Sequence, residues 1–136
     1  MILALKIEKM SQKVVFSIIE SPLHPNFTEL YQKHGFENVQ LSSMRKAISQ
    51  LKKQKPDYVV AEFMYGYGNN YAGVNVSNLD VFLHSLQKYA PEAKVIAMVE
   101  KHEVKHVPKL LELFTLHGVL QHPVSQQALL SVLEDE

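Results

Sequence analysis

The chain has 136 residues, 46% of them apolar, enough for one domain with a substantial core and too few for two. Fourteen Lys and Arg balance fourteen Asp and Glu, so there is no basic field to hold nucleic acid or an anionic membrane surface, and neither is expected as a partner. Cysteine is absent, which excludes disulfides, thiol catalysis and every Cys-ligated metal centre and fits a reducing compartment.

In chain order, Met1 to Met10 come first, interrupted by Lys6, Glu8 and Lys9 and without the apolar core or small-residue cleavage site of a signal peptide. No apolar run approaches the roughly 20 residues of a membrane span, so a cytoplasmic location is expected. Ile2, Leu3, Leu5 and Ile7 partly alternate, and residues 1–12 read as an N-terminal arm or extra edge strand ahead of a single domain over 13–136. Lys13 to Ile19 is too continuously apolar for a one-sided sheet and predicts a strand buried on both faces, as parallel sheets require. Asn26 with Glu29 has the capping-box spacing and opens a first helix, which Gly35 ends after Lys33 and His34. Glu37 to Leu41 is a second strand. Ser42 or Ser43 opens a helix to about Lys55, its last turn carrying Lys52, Lys53 and Lys55, and Pro56 closes it. Asp57 to Phe63 is the third strand, Ser77 with Asp80 starts a helix to about Tyr89, Pro91 stops it, and Lys94 to Val99 is the fourth strand. Leu110, Leu111, Leu113, Phe114 and Leu116 predict a fourth helix, Gly118 to Gln121 a fifth strand, and Ser125 the cap of a last helix with Leu129, Leu130, Val132 and Leu133.

Strict alternation of five strands with five helices predicts an α/β fold: a three-layer, doubly wound (βα)5 parallel sheet of flavodoxin-like order 2-1-3-4-5. In such sheets function gathers at the carboxyl ends of the strands, where the order reverses between strands one and three. Glu20 ends strand one and Glu62 ends strand three, so the two acids should meet there.

Four stretches at these strand ends carry a family resemblance. Ile19-Glu20-Ser21-Pro22-Leu23 follows strand one, Pro56-Asp57 and an apolar run lead to Glu62, Val99 closes strand four, and Gly118-Val119-Leu120-Gln121-His122-Pro123 closes strand five. Over about residues 13 to 134 the chain resembles the receiver domains of bacterial two-component response regulators. That family has an acidic pair before Pro-Leu, a phosphoacceptor Asp ending strand three, a Thr or Ser at the end of strand four, an aromatic switch residue on strand five and a Lys-Pro pair after it. The resemblance implies that Glu62 is the phosphoacceptor-equivalent position, Glu20 the survivor of the acidic pocket, and Val99, Val119 and His122 the switch-equivalent positions.

The departures have chemical consequences. Phosphoryl transfer to a carboxylate needs a divalent cation held by several oxygens, a well-placed acceptor and fixed donors for the developing charge. Two glutamates are a poor magnesium site, and the extra methylene of Glu62 shifts its oxygens by about a bond length, where displacements near 1 Å cost on the order of a hundredfold in rate. Val99 donates nothing. The expectation is a stand-alone pseudo-receiver, not an enzyme, with no catalytic residue, metal or cofactor, acting independently of phosphorylation through protein–protein interaction in bacterial signalling. Glu62 itself has three readings: a strand-end carboxylate, solvated or bonded to nearby backbone N–H groups; a permanent mimic of the phosphorylated acid, paired with His122; or a residual acceptor or cation ligand.

Three further features bear on function. His102-Glu103-Val104-Lys105-His106 matches H-E-x-x-H, the zinc metallopeptidase signature, but Pro108 makes it a helix start and no third ligand stands at the expected spacing. A metallopeptidase is the remote alternative. The segment from Phe63 to Val76, with Tyr65, Tyr67 and Tyr71 among glycines and asparagines, has the composition of a recognition loop, or of a cover folded over the abandoned pocket. The alternative function is a flavodoxin-like domain binding a small ligand beneath this loop, although Glu20-Ser21-Pro22-Leu23-His24-Pro25 lacks the backbone donors that cradle the phosphate of FMN. On the fourth helix Leu111, Leu113 and Phe114 widen the apolar surface beyond one buried face, a candidate face for a protein partner or a homodimer.

Overall fold

A computed structural model describes residues 12–21, 26–65 and 77–133; the arm expected over 1–12 lies outside these but for Gln12. The strands are β1 (Lys13–Ile18), β2 (Phe36–Leu41), β3 (Tyr58–Glu62), β4 (Lys94–Val99) and β5 (Gly118–Gln121). The helices are α1 (Thr28–Lys33), α2 (Met44–Leu51), α3 (Asp80–Tyr89), α4 (Val107–Leu111) and α5 (Gln126–Leu133), with a 3-10 turn over Lys101–His106 leading into α4. All strand pairings are parallel, and the sheet order is β2-β1-β3-β4-β5. The predicted α/β receiver-like fold is therefore the observed one, and the reason is visible in β3, which has every residue buried because both faces of the sheet are covered.

One core lies under α2, α3 and α4 and contains Phe16, Ile18, Val59, Ala61, Phe82, Leu86, Val99 and Leu110. The other lies under α1 and α5, with Val15, Tyr31, Tyr58, Val60, Met98 and Leu129. Alternate residues of each central strand thus feed opposite cores, the period-two rule of a strand buried on both sides. Asp57 binds β3 to β1 at its start: its N–H donates to Val14 O at 2.8 Å, and its Oδ2 accepts from the Val14 N–H at 2.8 Å. Gly118 lets α5 close on β5, because a Cβ at this position would lie 2.8 Å from Val132 Cγ1.

Several element boundaries differ from expectation, the helices most. Asn26 does not cap the first helix through a box with Glu29; its Oδ1 accepts from the Thr28 N–H at 2.8 Å in an Asx turn, and α1 starts at Thr28. Gly35 does take the left-handed conformation, φ 83°, after that helix. α2 is capped by Ser43, whose hydroxyl accepts from the Lys46 N–H, but it ends at Leu51, short of Lys55. α4 ends at Leu111: the N–H groups of Leu113 and Phe114 both close onto Leu110 O, and the turn they make carries Phe114 into the core. Ser77 and Asp80 meet ahead of α3, Asp80 Oδ1 accepting from the Ser77 N–H at 2.7 Å and from its hydroxyl at 3.0 Å, but Ser77 does not cap the helix: its hydroxyl accepts from the Leu79 N–H at 3.1 Å, and Leu79 holds the N-cap position. Among the described residues no helix is long and apolar enough to cross a membrane.

Candidate functional site

Glu62 is the last residue of β3 and is 94% buried, being 6% exposed. A carboxylate removed from water needs donors. Its Oε1 accepts from the N–H of Glu20 at 2.8 Å and of Ser21 at 3.1 Å, the first residues past β1. These are bonds to backbone N–H groups at the strand end, a feature of the first of the three readings of Glu62. Glu20 enters the site through its backbone N–H. The main chain of Glu62 is held from the other side by Asn78: Glu62 O accepts from Asn78 Nδ2 at 2.8 Å, Asn78 Oδ1 accepts from the Met64 N–H at 2.7 Å, and the Asn78 N–H donates to Met64 O at 3.1 Å. An isolated antiparallel bridge pairs Tyr65 with Ser77 just beyond, so the chain leaving β3 and the chain entering α3 are stapled together.

Beside Glu62 lies a cavity of about 200 Å³ lined by Ser21, Glu62, Met64, Glu100, Glu103 and His122 together with Phe63 and Met98. Three glutamates, Glu62, Glu100 and Glu103, thus line one small space, and among the described residues no lysine or arginine does. Its volume is below the roughly 300–1,000 Å³ usual for small-molecule sites. A larger cavity of about 410 Å³, lined by Leu83, Leu86, Ala90, Val95, Phe114 and Leu116 among others, opens at the amino ends of β4 and β5, away from Glu62.

The sequence did not single out Glu100 as a site residue, and it took Glu103 only as part of H-E-x-x-H. The signal was present: Glu100 follows Val99 directly at the carboxyl end of β4, the position rule that located Glu20 and Glu62. The switch-equivalent residues divide. His122 lines the cavity, and its N–H donates to Val99 O at 2.9 Å. Val99 is fully buried in the core. Val119, opposite Ala97 on β5, is exposed and does not line the cavity.

The candidate interaction residues also divide. Phe63 is core, 2% exposed, and is corrected from a loop contact to a packing residue. It continues the β3–β4 ladder through its N–H to Met98 O, which turns its ring inward. Tyr65 is partly exposed, and Tyr67 and Tyr71 lie outside the described residues. Leu111 and Leu113 are exposed as a partner face requires, but Phe114 is not part of that face: it is buried and meets the His84 ring edge-on at 4.9 Å. His102 to His106 forms the 3-10 turn ahead of Pro108, and among the described residues no three His, Asp or Glu side chains are arranged to hold a metal ion.

No protein-family profile matches the chain, and no curated protein matches it in sequence. Solved structures do match in fold. A chemotaxis response regulator of Vibrio cholerae superposes with a TM-score of 0.69 at 12% identity, over 91% of this chain and 98% of that one. A response regulator receiver domain from Clostridium thermocellum gives 0.66 at 19% identity, over 88% and 89%. The signal receiver domain of a LuxO repressor protein from Vibrio parahaemolyticus gives 0.65 at 15%, over 90% and 87%. The fold is that of receiver domains, in strand order and in helices alike.

Proposed function

We propose that this chain is a pseudo-receiver, a receiver-fold signalling module of the two-component type that takes no phosphoryl group and acts by protein–protein contact. The observation that carries the reading is the engagement of Glu62 Oε1 by the Glu20 and Ser21 N–H groups at 2.8 and 3.1 Å. Oε1 is thereby held as a tie across the switch point, which fixes the orientation of the carboxylate to the β1 main chain. Three further features support it. Glu100 and Glu103 line the same cavity, Val99 brings no hydroxyl to the end of β4, and among the described residues no Lys or Arg lines the space to neutralise an incoming phosphoryl group. The module's contacts are then made by exposed apolar and aromatic groups, Leu111 and Leu113 after β4 and Tyr65 after β3, with a protein partner or a second copy of the chain.

The test is direct. Incubated with acetyl phosphate and Mg²⁺, the chain should keep its intact mass, and beryllofluoride with Mg²⁺ should leave the amide spectrum around Glu62 unchanged. A phosphoryl adduct that disappears in Glu62→Ala would overturn the proposal.

A further inference from the structure

The amino end of the sheet, opposite the edge that carries Glu62, holds a cavity of about 410 Å³ between the end of α3, the start of β4 and the turn that follows α4. That volume lies within the roughly 300–1,000 Å³ of small-molecule sites. Its floor is apolar: Leu83, Leu86, Ala90, Val95 and Phe114 all line it, and all are buried. Its mouth is polar. Gln87 and Thr115 are exposed and Lys94 is half-buried there, offering an amide, a hydroxyl and an ammonium, while among the described residues no Asp or Glu lines the space. The side chains of Gln87 and Thr115 make no hydrogen bond to a described residue. The Lys94 ammonium has no carboxylate partner among the described residues; it stands 5.8 Å from the Tyr58 ring centroid, near the outer limit of a cation–π contact. His117 also lines the cavity but is already engaged: a carbonyl only accepts, so its Nε2 carries the proton and donates to Val132 O at 3.1 Å.

An apolar floor beneath a mouth of donors without acids discriminates among ligands. A cation would meet Lys94 with no carboxylate to hold it, and a bare inorganic anion would leave the floor unused. An amphipathic anion matches both ends. We propose that this cavity binds a medium-chain monocarboxylate, its aliphatic body on Leu83, Leu86 and Phe114 and its carboxylate at the mouth, met by Lys94, Gln87 and Thr115. At roughly 30 Å³ per water-sized group the space takes on the order of a dozen non-hydrogen atoms, the size class of octanoate. The flexible Lys94 stem lets its ammonium leave the Tyr58 ring for the stronger charge-assisted bond to a carboxylate. The site shares no residue with the Glu62 cavity, so its occupancy does not depend on whether Glu62 takes a phosphoryl group.

Calorimetric titration of the full chain with sodium octanoate should show saturable one-to-one binding. Amide NMR should place the shifted signals at Leu86, Ala90, Val95 and Phe114, with those of Glu20 and Glu62 unmoved. 1-Octanol, which keeps the body and loses the charge, should bind about tenfold more weakly, and acetate, the head alone, should not bind. Lys94→Gln should weaken octanoate about fivefold and leave 1-octanol unchanged, the size expected of one partly exposed ion pair. Ala90→Leu, which fills the floor, should abolish binding of both. Because that variant can misfold, the Lys94→Gln and 1-octanol comparisons, which leave the floor intact, decide the matter on their own. Octanoate that fails to saturate, shifted signals that lie elsewhere, equal affinity for octanoate and 1-octanol, or an unchanged affinity in Lys94→Gln would each overturn the site.

Discussion

Replacing Glu62 with alanine is expected to lower the unfolding free energy by about 2–3 kcal/mol, because hydrogen bonds to a charged group are each worth about 1.5–3 kcal/mol and two are lost together. The side chain is buried, and the N–H groups of Glu20 and Ser21 both end on its Oε1. Alanine leaves these donors without their acceptor and opens a void at the end of β3. The value stays below the sum of two full bonds because the donors are only partly buried, and water can replace some of what is lost. Glu62→Gln separates acceptor from charge: its amide oxygen can receive both N–H groups, so it should cost only about 1 kcal/mol. Urea unfolding with unchanged m-values measures both. If glutamine proves as damaging as alanine, the negative charge matters more than the acceptor, and the reading of Glu62 as a charged partner of His122 gains. If alanine costs less than about 0.5 kcal/mol, the tie across β1 and β3 is not holding the switch point together.

Phe82→Ala is expected to be the most destabilising of the changes considered, by about 3–5 kcal/mol, the range for removing a buried aromatic side chain and leaving a cavity. Phe82 lies in the first full turn of α3 and is completely buried in the core shared by α2, α3 and α4. Against a total stability of about 5–15 kcal/mol for a domain, such a loss is a large fraction of the whole. The same helix begins beside the Ser77–Asp80 hydrogen bonds and the Asn78 staple, so loosening it should also release the main chain of Glu62 and Met64. Hydrogen exchange at Met64 should therefore rise more than global destabilisation alone accounts for. Leu113, exposed beyond α4, offers the contrast: Leu113→Ala should change stability by no more than about 0.5 kcal/mol. A loss for Phe82→Ala as small as that would contradict the described core.

Much of this architecture was legible in the chain because the signals are local. The continuous apolar runs at Val14–Ile18 and Val59–Ala61 predict strands covered on both faces, and helices between them predict parallel crossovers. The strand order and the placement of Glu20 and Glu62 at the carboxyl edge follow from that pattern. The length of α4 and the fate of Phe114 were not legible, since apolar spacing cannot tell a residue continuing a helix from one turning back into the core.

Periodicity, caps and prolines act within a few residues of chain, and they were enough to specify the doubly wound fold, its strand order and the end of the sheet at which Glu62 stands. The tertiary structure alone decided what Glu62 does there. Its two donors lie 42 and 41 residues earlier in the chain, Glu100 and Glu103 reach its cavity from beyond β4, and Tyr65 finds His106 another 41 residues on. Those meetings depend on how the ends of separate strands are brought level by the sheet, and no local spacing encodes that.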